Sequence, residues 1–196
     1  MFSNSKDSAI RLLNFSQVLG DKEVISPTTL SFSKGRVGIF VGKQDQSKNC
    51  LFKALAGHED ATSGDIVIGQ KSLKKSGSEY KKNVFLVSPS VQFNLPCTLA
   101  QIPGILMGFY ENWNFVSYTT WLEQLGLNGA MPYSQLSVGA KMRALIAIAM
   151  ACEAEVLLFE DVDSYLDSDQ QRTLIAALQL KCSAGVTALI GSRRLT

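Results

Sequence analysis

The chain has 196 residues, 46% of them hydrophobic and 18% charged, with a formal net charge of +2. That is apolar enough to bury a core, which excludes general disorder, and a charge so small and so spread out gives no ground for a polynucleotide binder. Cys50, Cys97, Cys152 and Cys182 lie far apart with a single histidine, His58, so a clustered zinc site is excluded, and no apolar run approaches the roughly 20 residues of a membrane helix.

Met1 to Asp7 has no apolar signal core behind it, so the expectation is a soluble protein of a reducing cytoplasm. Ile10 to Phe15 reads as a short strand, Val18 to Asp21 as a turn, and Val24-Ile25 as the entry of a second strand. Thr29 to Ser33 alternates apolar and polar residues, as a half-buried strand does. Arg36 to Val41 ends in Ile-Phe-Val and is expected to be a buried central strand.

A polar loop, Gly42 to Ser47, follows, and from Lys48 onward Leu51, Phe52, Leu55 and Ala56 recur at helical spacing until Gly57 stops the helix. Strand, loop and helix in this order put free backbone N–H groups and a partial positive charge at the loop, a ready anion site. His58, just past the helix, reads as an exposed cap residue. Ser63 to Gly69 and Val84 to Val87 are further strands, and Leu99 to Leu127 reads mainly helical, with Pro103-Gly104 kinking or delaying its first helix. The aromatics Phe109, Tyr110, Trp113, Phe115, Tyr118 and Trp121 gather there; packing of a small helical lobe is the expectation, and stacking on a nucleobase the alternative. Ser137 suits an N-cap for a helix from about Ala140 to Cys152. Glu155 to Phe159 is a strand running into Glu160-Asp161, Asp169 to Lys181 a helix, and Gly185 to Ile190 a last strand. Strands alternating with helices imply a parallel sheet covered on both faces.

Gly42-Lys43-Gln44-Asp45-Gln46-Ser47-Lys48-Asn49 has the length and place of a phosphate-binding loop, G-x-x-x-x-G-K-[ST]. Its first glycine and its lysine are present, Ser47 replaces the second glycine, and Asn49 replaces the hydroxyl that holds Mg²⁺. Alone, this half-match is weak.

Leu136-Ser137-Val138-Gly139-Ala140-Lys141-Met142-Arg143 and then Val156 to Asp167, through Glu160-Asp161 and Leu166-Asp167, resemble the ATP-binding subunits of ABC transporters. The first run is similar to their signature motif and its basic helix; the second is similar to their Walker B strand, acidic pair and D-loop. Leu55-Ala56-Gly57 and Thr62 to Ile66 fit the stretch after the phosphate loop, and Phe109 to Asn114 resembles the helical lobe of bacterial exporter subunits. The resemblance runs from Ile10 to Arg194 with the motifs in family order. It implies an α/β fold over residues 1–196: a P-loop NTPase (RecA-like) core with a mostly parallel sheet, an antiparallel β region at the N-terminus and a small helical lobe inserted at about 99–152. It also implies a shortened C-terminal part, since the chain ends at Thr196 soon after the family's switch position.

Carried over residue by residue, the resemblance puts the nucleotide on Gly42, Ser47, Lys48, Asn49 and Cys50, with Leu19 where an aromatic stacks on adenine. Mg²⁺ would fall to Asn49 and Glu160, and the catalytic carboxylate position to Asp161. The γ-phosphate-sensing glutamine falls at Pro89 and the switch histidine at Arg193, which also reads as a solvated pair with Arg194. Leucine offers no π face. Asp45 brings a like charge to the phosphate, worth on the order of 4 kcal/mol at 4 Å in a surface-like dielectric. Glu160 and Asp161 exchange the family's Asp and Glu, moving each carboxylate by roughly 1.5 Å, and a misplacement near 1 Å can cost about a hundredfold. These departures surround one bound nucleotide, while Ser137, Gly139 and Asp167, which in this family serve the nucleotide of the opposite subunit, are kept. Leu-Ser-x-Gly could also survive merely as a helix cap and turn.

The implied function is a degenerate ATP-binding subunit, with ATP and Mg weak or lost in its own site. It would pair with a competent ABC ATPase subunit and a membrane permease, and lie on the inner face of the membrane with no nucleic-acid partner. The alternatives are an active ATP-hydrolysing subunit, with Lys48 on the β- and γ-phosphates and Asp161 orienting water, and a nucleotide-independent scaffold on the same fold.

Overall fold

The computed structural model describes residues 7–42, 46–91, 93, 96–110 and 113–192. The N-terminal alternation becomes a four-stranded antiparallel sheet of order β2-β1-β4-β5, from β1 (Ser8–Leu19), β2 (Lys22–Ser33), β4 (Ser63–Ile68) and β5 (Lys71–Ser72). The expected short strand and separate turn at Val18 merge into β1, and the chain reverses at Gly20-Asp21, with Gly20 at φ +58. Bulges hide this length in the sequence: Asn14 has φ +49, and the register to β2 and β4 shifts around it, so side-chain alternation breaks mid-strand. Gly64 of β4 packs on that bulge at φ +76, where an added Cβ would lie 2.2 Å from Asn14 O. Gly64→Ala is therefore expected to destabilise the chain by about 2 kcal/mol in urea unfolding, from left-handed strain plus a backbone clash.

A parallel sheet of order β3-β8-β7-β6 takes β3 (Val37–Val41) from between β2 and β4, and β6 (Val84–Val87), β7 (Val156–Glu160) and β8 (Thr187–Ser192) from the later chain. β6 and β7 are buried throughout, as both-faces-covered parallel strands must be. Leu157 and Phe159 face the core shared with α5 (Val138–Ala151) and α6 (Ser168–Ser183), while Val156 and Leu158 face Phe52 and Leu55 of α1 (Gln46–Leu55) and the antiparallel sheet. α1 thus sits between the two sheets.

β3 corrects the expectation of a buried central strand. It lies at the sheet edge, pairs only with β8 among the described residues, and leaves Ile39 57% exposed. Apolar content marks the strand, but nothing local to Ile-Phe-Val tells which neighbour it lacks. The last strand starts two residues later than expected.

α1 closes with Gly57 at φ +70, whose N–H donates to Ala54 O, followed by His58 N–H to Lys53 O. His58 is exposed, as expected, and partial desolvation of its ring together with the charges of Lys81 and Lys53 holds its imidazole below the usual range. A short helix, α2 (Gly77–Lys81), precedes β6. The expected helical stretch from Leu99 splits into α3 (Ile102–Leu106) and α4 (Phe115–Gln124). Pro103 stands in the first turn of α3, where its missing N–H costs nothing, so it delays the helix instead of kinking it. Trp113, Tyr118 and Trp121 pack inward, and Tyr118 Oη donates to Leu99 O, whereas Phe109 and Phe115 are exposed. Residues 111 and 112 lie outside the described set. Ser137 caps α5 by accepting from Ala140 N–H, and Asp167 caps α6 with a capping box to Gln170. The four cysteines form no disulfide, and burial pushes the Cys152 thiol up to about 12. No helix among the described residues is long and apolar enough to cross a membrane.

Candidate functional site

Parallel strands deliver their C-terminal ends to one edge, and there the chain gathers its polar residues. Gly42 leaves β3 with its N–H on Ser192 O at the end of β8. Ser47, Lys48 and Asn49 occupy the first turn of α1, which has no acidic residue of its own. Glu160 ends β7 with Asp161 directly after it, and Ser88 follows β6. The middle of the loop, including Asp45, and Arg193 lie outside the described residues.

The two carboxylates are buried, at 3% and 6% exposure, and each has a partner from α1. Lys48 Nζ lies 2.5 Å from Asp161 Oδ1, and both side chains are 8% exposed. Asn49 Nδ2 donates to both oxygens of Glu160, at 3.1 and 3.2 Å, and the hydroxyl of Ser88 donates to Glu160 Oε2. Asp161 is held at φ +50, a left-handed conformation that aspartate adopts more readily than most residues, and its N–H donates to Gly191 O at 2.9 Å. Next to it, Ser192 Oγ donates to Asp163 Oδ2, while Asp163 Oδ1 is buried without a hydrogen-bond partner among the described residues. Cys50, buried in α1, has its thiol held above the ordinary pKa by burial.

The first turn of α1 and Lys48 have the chemistry for a phosphate group. Asn49 and Glu160 do not fit a divalent ion as they stand. The amide turns its N–H₂ to the carboxylate, so a shared cation would require the amide to rotate and the direct contact to open. Among the described residues no cluster of three or more His, Cys, Asp or Glu could hold a metal. Leu19, at the far end of β1, is 38% exposed and lies outside the cavity of about 380 Å³ beside the loop; Val24 and Ile25 of β2 line that cavity with Phe40, Ser47 and Lys48. Ser137 and Gly139 stand apart, at the start of α5.

Sequence reading missed Ser88. The parallel register Val87↔Phe159 carries the next residues, Ser88 and Glu160, side by side, but that register is invisible before the sheet order is known.

A parallel sheet whose C-terminal edge carries Gly42 at the end of β3 and the first turn of α1 has the arrangement of the P-loop nucleotide-binding class. Within it, the ABC transporter family model matches residues 25–163, and the chain belongs to that family. It is 27% identical over 177 residues to the fructose import ATP-binding protein FruK of Bifidobacterium longum, covering 85% of this chain and 34% of that protein. To the sulfate/thiosulfate import ATP-binding protein CysA 1 of Shewanella oneidensis it is 28% identical over 174 residues, covering 85% and 46%. The chain thus spans half or less of these two relatives. Its fold is that of an ATP-binding subunit of an ABC transporter (TM-score 0.82, 17% identity, 96% of this chain and 80% of that one). It also matches the ATP-binding cassette MJ0796 solved as a dimer bound to ADP and Pi (TM-score 0.76, 20% identity, 94% and 88%).

Proposed function

We propose that the chain is an ABC transporter ATP-binding subunit whose own nucleotide site is impaired. It serves the site of a competent partner ATPase through Ser137 and Gly139, with a membrane permease as the third component. The observation that carries this reading is the buried Lys48–Asp161 pair. The ammonium that would meet phosphate is already matched by a carboxylate, and Asn49 and Glu160 close on each other beside it. Nucleotide must displace one partner of each contact before it gains any of its own.

The signature region supports the second half. Gly139 has an ordinary backbone, and an added Cβ would meet nothing nearer than Tyr165 Cδ1 at 3.8 Å, so packing inside the chain does not demand glycine there. Ser137 uses its oxygen lone pair as a cap but keeps its hydroxyl proton, on an exposed surface beside Val138 at 58% exposure. The head-to-tail pairing expected from the family resemblance would put both residues against a partner's phosphates. The exposed apolar residues Ile105, Met107, Phe109, Phe115 and Val116 give the helical segment a face suited to a permease, which would hold the subunit at the inner side of the membrane.

Calorimetric titration with Mg-ATP tests the reading. The wild-type chain is expected to give no Lys48-dependent heat below millimolar nucleotide, whereas Asp161→Asn, which removes the carboxylate matched to Lys48 and tolerates the left-handed backbone, is expected to bind there. Micromolar binding by the wild type, with hydrolysis abolished in Asp161→Asn, would establish the active-ATPase alternative instead. A complex with partner subunits that is indifferent to ATP and to Ser137 would establish the scaffold.

A further inference from the structure

The parallel sheet has another end, where its strands start, and a cavity of about 860 Å³ lies there between the two sheets. Its wall takes Arg11 from β1, Lys34 from the turn ahead of β3, Lys71 from β5 and Glu155 from just ahead of β7. Three cations thus face one carboxylate. Lys71 also reaches Glu79 at 3.9 Å, but among the described residues neither Arg11 nor Lys34 has an ion-pair partner. Two polar atoms of the same wall, Ser8 Oγ and Arg11 Nε, are buried without a hydrogen-bond partner among the described residues, and Ser8 is only 5% exposed. Unsatisfied buried polar groups are uncommon in folded proteins and call for an explanation. Here they coincide with uncompensated positive charge around a concavity, which concentrates anions.

We propose that this cleft binds a small phosphorylated molecule, its phosphate taken by Arg11, Lys34 and Lys71 with the Ser8 hydroxyl turning in as a further donor. Cations arriving from three elements match a group with several acceptor oxygens better than a planar carboxylate, which one guanidinium can satisfy alone. The volume exceeds that of one phosphate, and the buried side chains of Ala9 and Ile68 in the same wall leave an apolar floor for an organic group. Glu155 limits the affinity by repulsion; its Oε2 lies beside Gly69, 3.1 Å from where a Cβ on that residue would stand.

The cleft and the phosphate loop sit at opposite ends of strands that span roughly 17 Å, so separate substitutions read them, and the inference does not depend on the function proposed above. Titration calorimetry of the full chain with sodium tripolyphosphate, free of Mg²⁺, is the test. Binding is expected to persist in Lys48→Met/Asp161→Asn and to weaken about tenfold or more in Arg11→Gln/Lys34→Gln. It is expected to tighten several-fold in Glu155→Gln, a gain that misfolding cannot imitate. No heat at millimolar tripolyphosphate would overturn the proposal. So would binding that is lost with Lys48 and Asp161 but indifferent to Arg11, Lys34 and Glu155.

Discussion

Lys48→Met is expected to lower the stability of the chain by about 3–5 kcal/mol in urea unfolding, because it leaves the Asp161 carboxylate buried with its counter-charge removed. The double variant Lys48→Met/Asp161→Asn is expected to recover most of that loss, since removing both charges removes the desolvation cost with them. Both side chains are 8% exposed, so solvent screening discounts the effect little. In an ordinary phosphate loop the lysine serves a ligand, and its loss costs binding more than folding. A stability change below about 1 kcal/mol for Lys48→Met, the range of exposed pairs, would mean that the pair is not the structural element described above.

On the trans-acting role proposed for Ser137, Ser137→Arg is expected to reduce ATP turnover in the assembled transporter about a hundredfold or more, because a bulky side chain would fill the space of a partner's phosphate and lost positioning of this size is ordinary in active sites. Arginine also removes the cap of α5, which by itself costs about 1 kcal/mol of stability. Ser137→Asp separates the two roles. Aspartate caps as well as serine, so the melting temperature of the isolated chain should hold, while its negative charge repels phosphate and turnover in the complex should still fall. Retained turnover in Ser137→Asp would end the trans-acting role and leave Ser137 as a cap.

The parts of this fold that local chemistry dictates were readable in the sequence. Gly57 ends its helix, Ser137 starts one, and the apolar runs at Val84 and Val156 are strands buried on both faces. What depends on non-local pairing was not. The bulge at Asn14 disguises a 12-residue strand as a shorter one, and β3 reads as central because its residues are apolar, although it lies at the edge. For the site, motif order brought Lys48, Asn49, Glu160 and Asp161 together in advance. It did not say that they would contact one another, since two carboxylates and two donors in sequence carry no distance. Ser88 entered only through the register of β6 on β7.

The left-handed backbone of Asp161 bears on which side chains this position accepts. Aspartate is among the few side chains that occupy that conformation at small cost, and glutamate is not. Asp161→Glu would therefore meet a strained backbone and press a longer side chain against Lys48. It would lower stability unless the chain around Gly191, whose carbonyl accepts from the Asp161 N–H, relaxed with it. Selection for folding alone is thus enough to keep this carboxylate short, whatever the site does with nucleotide.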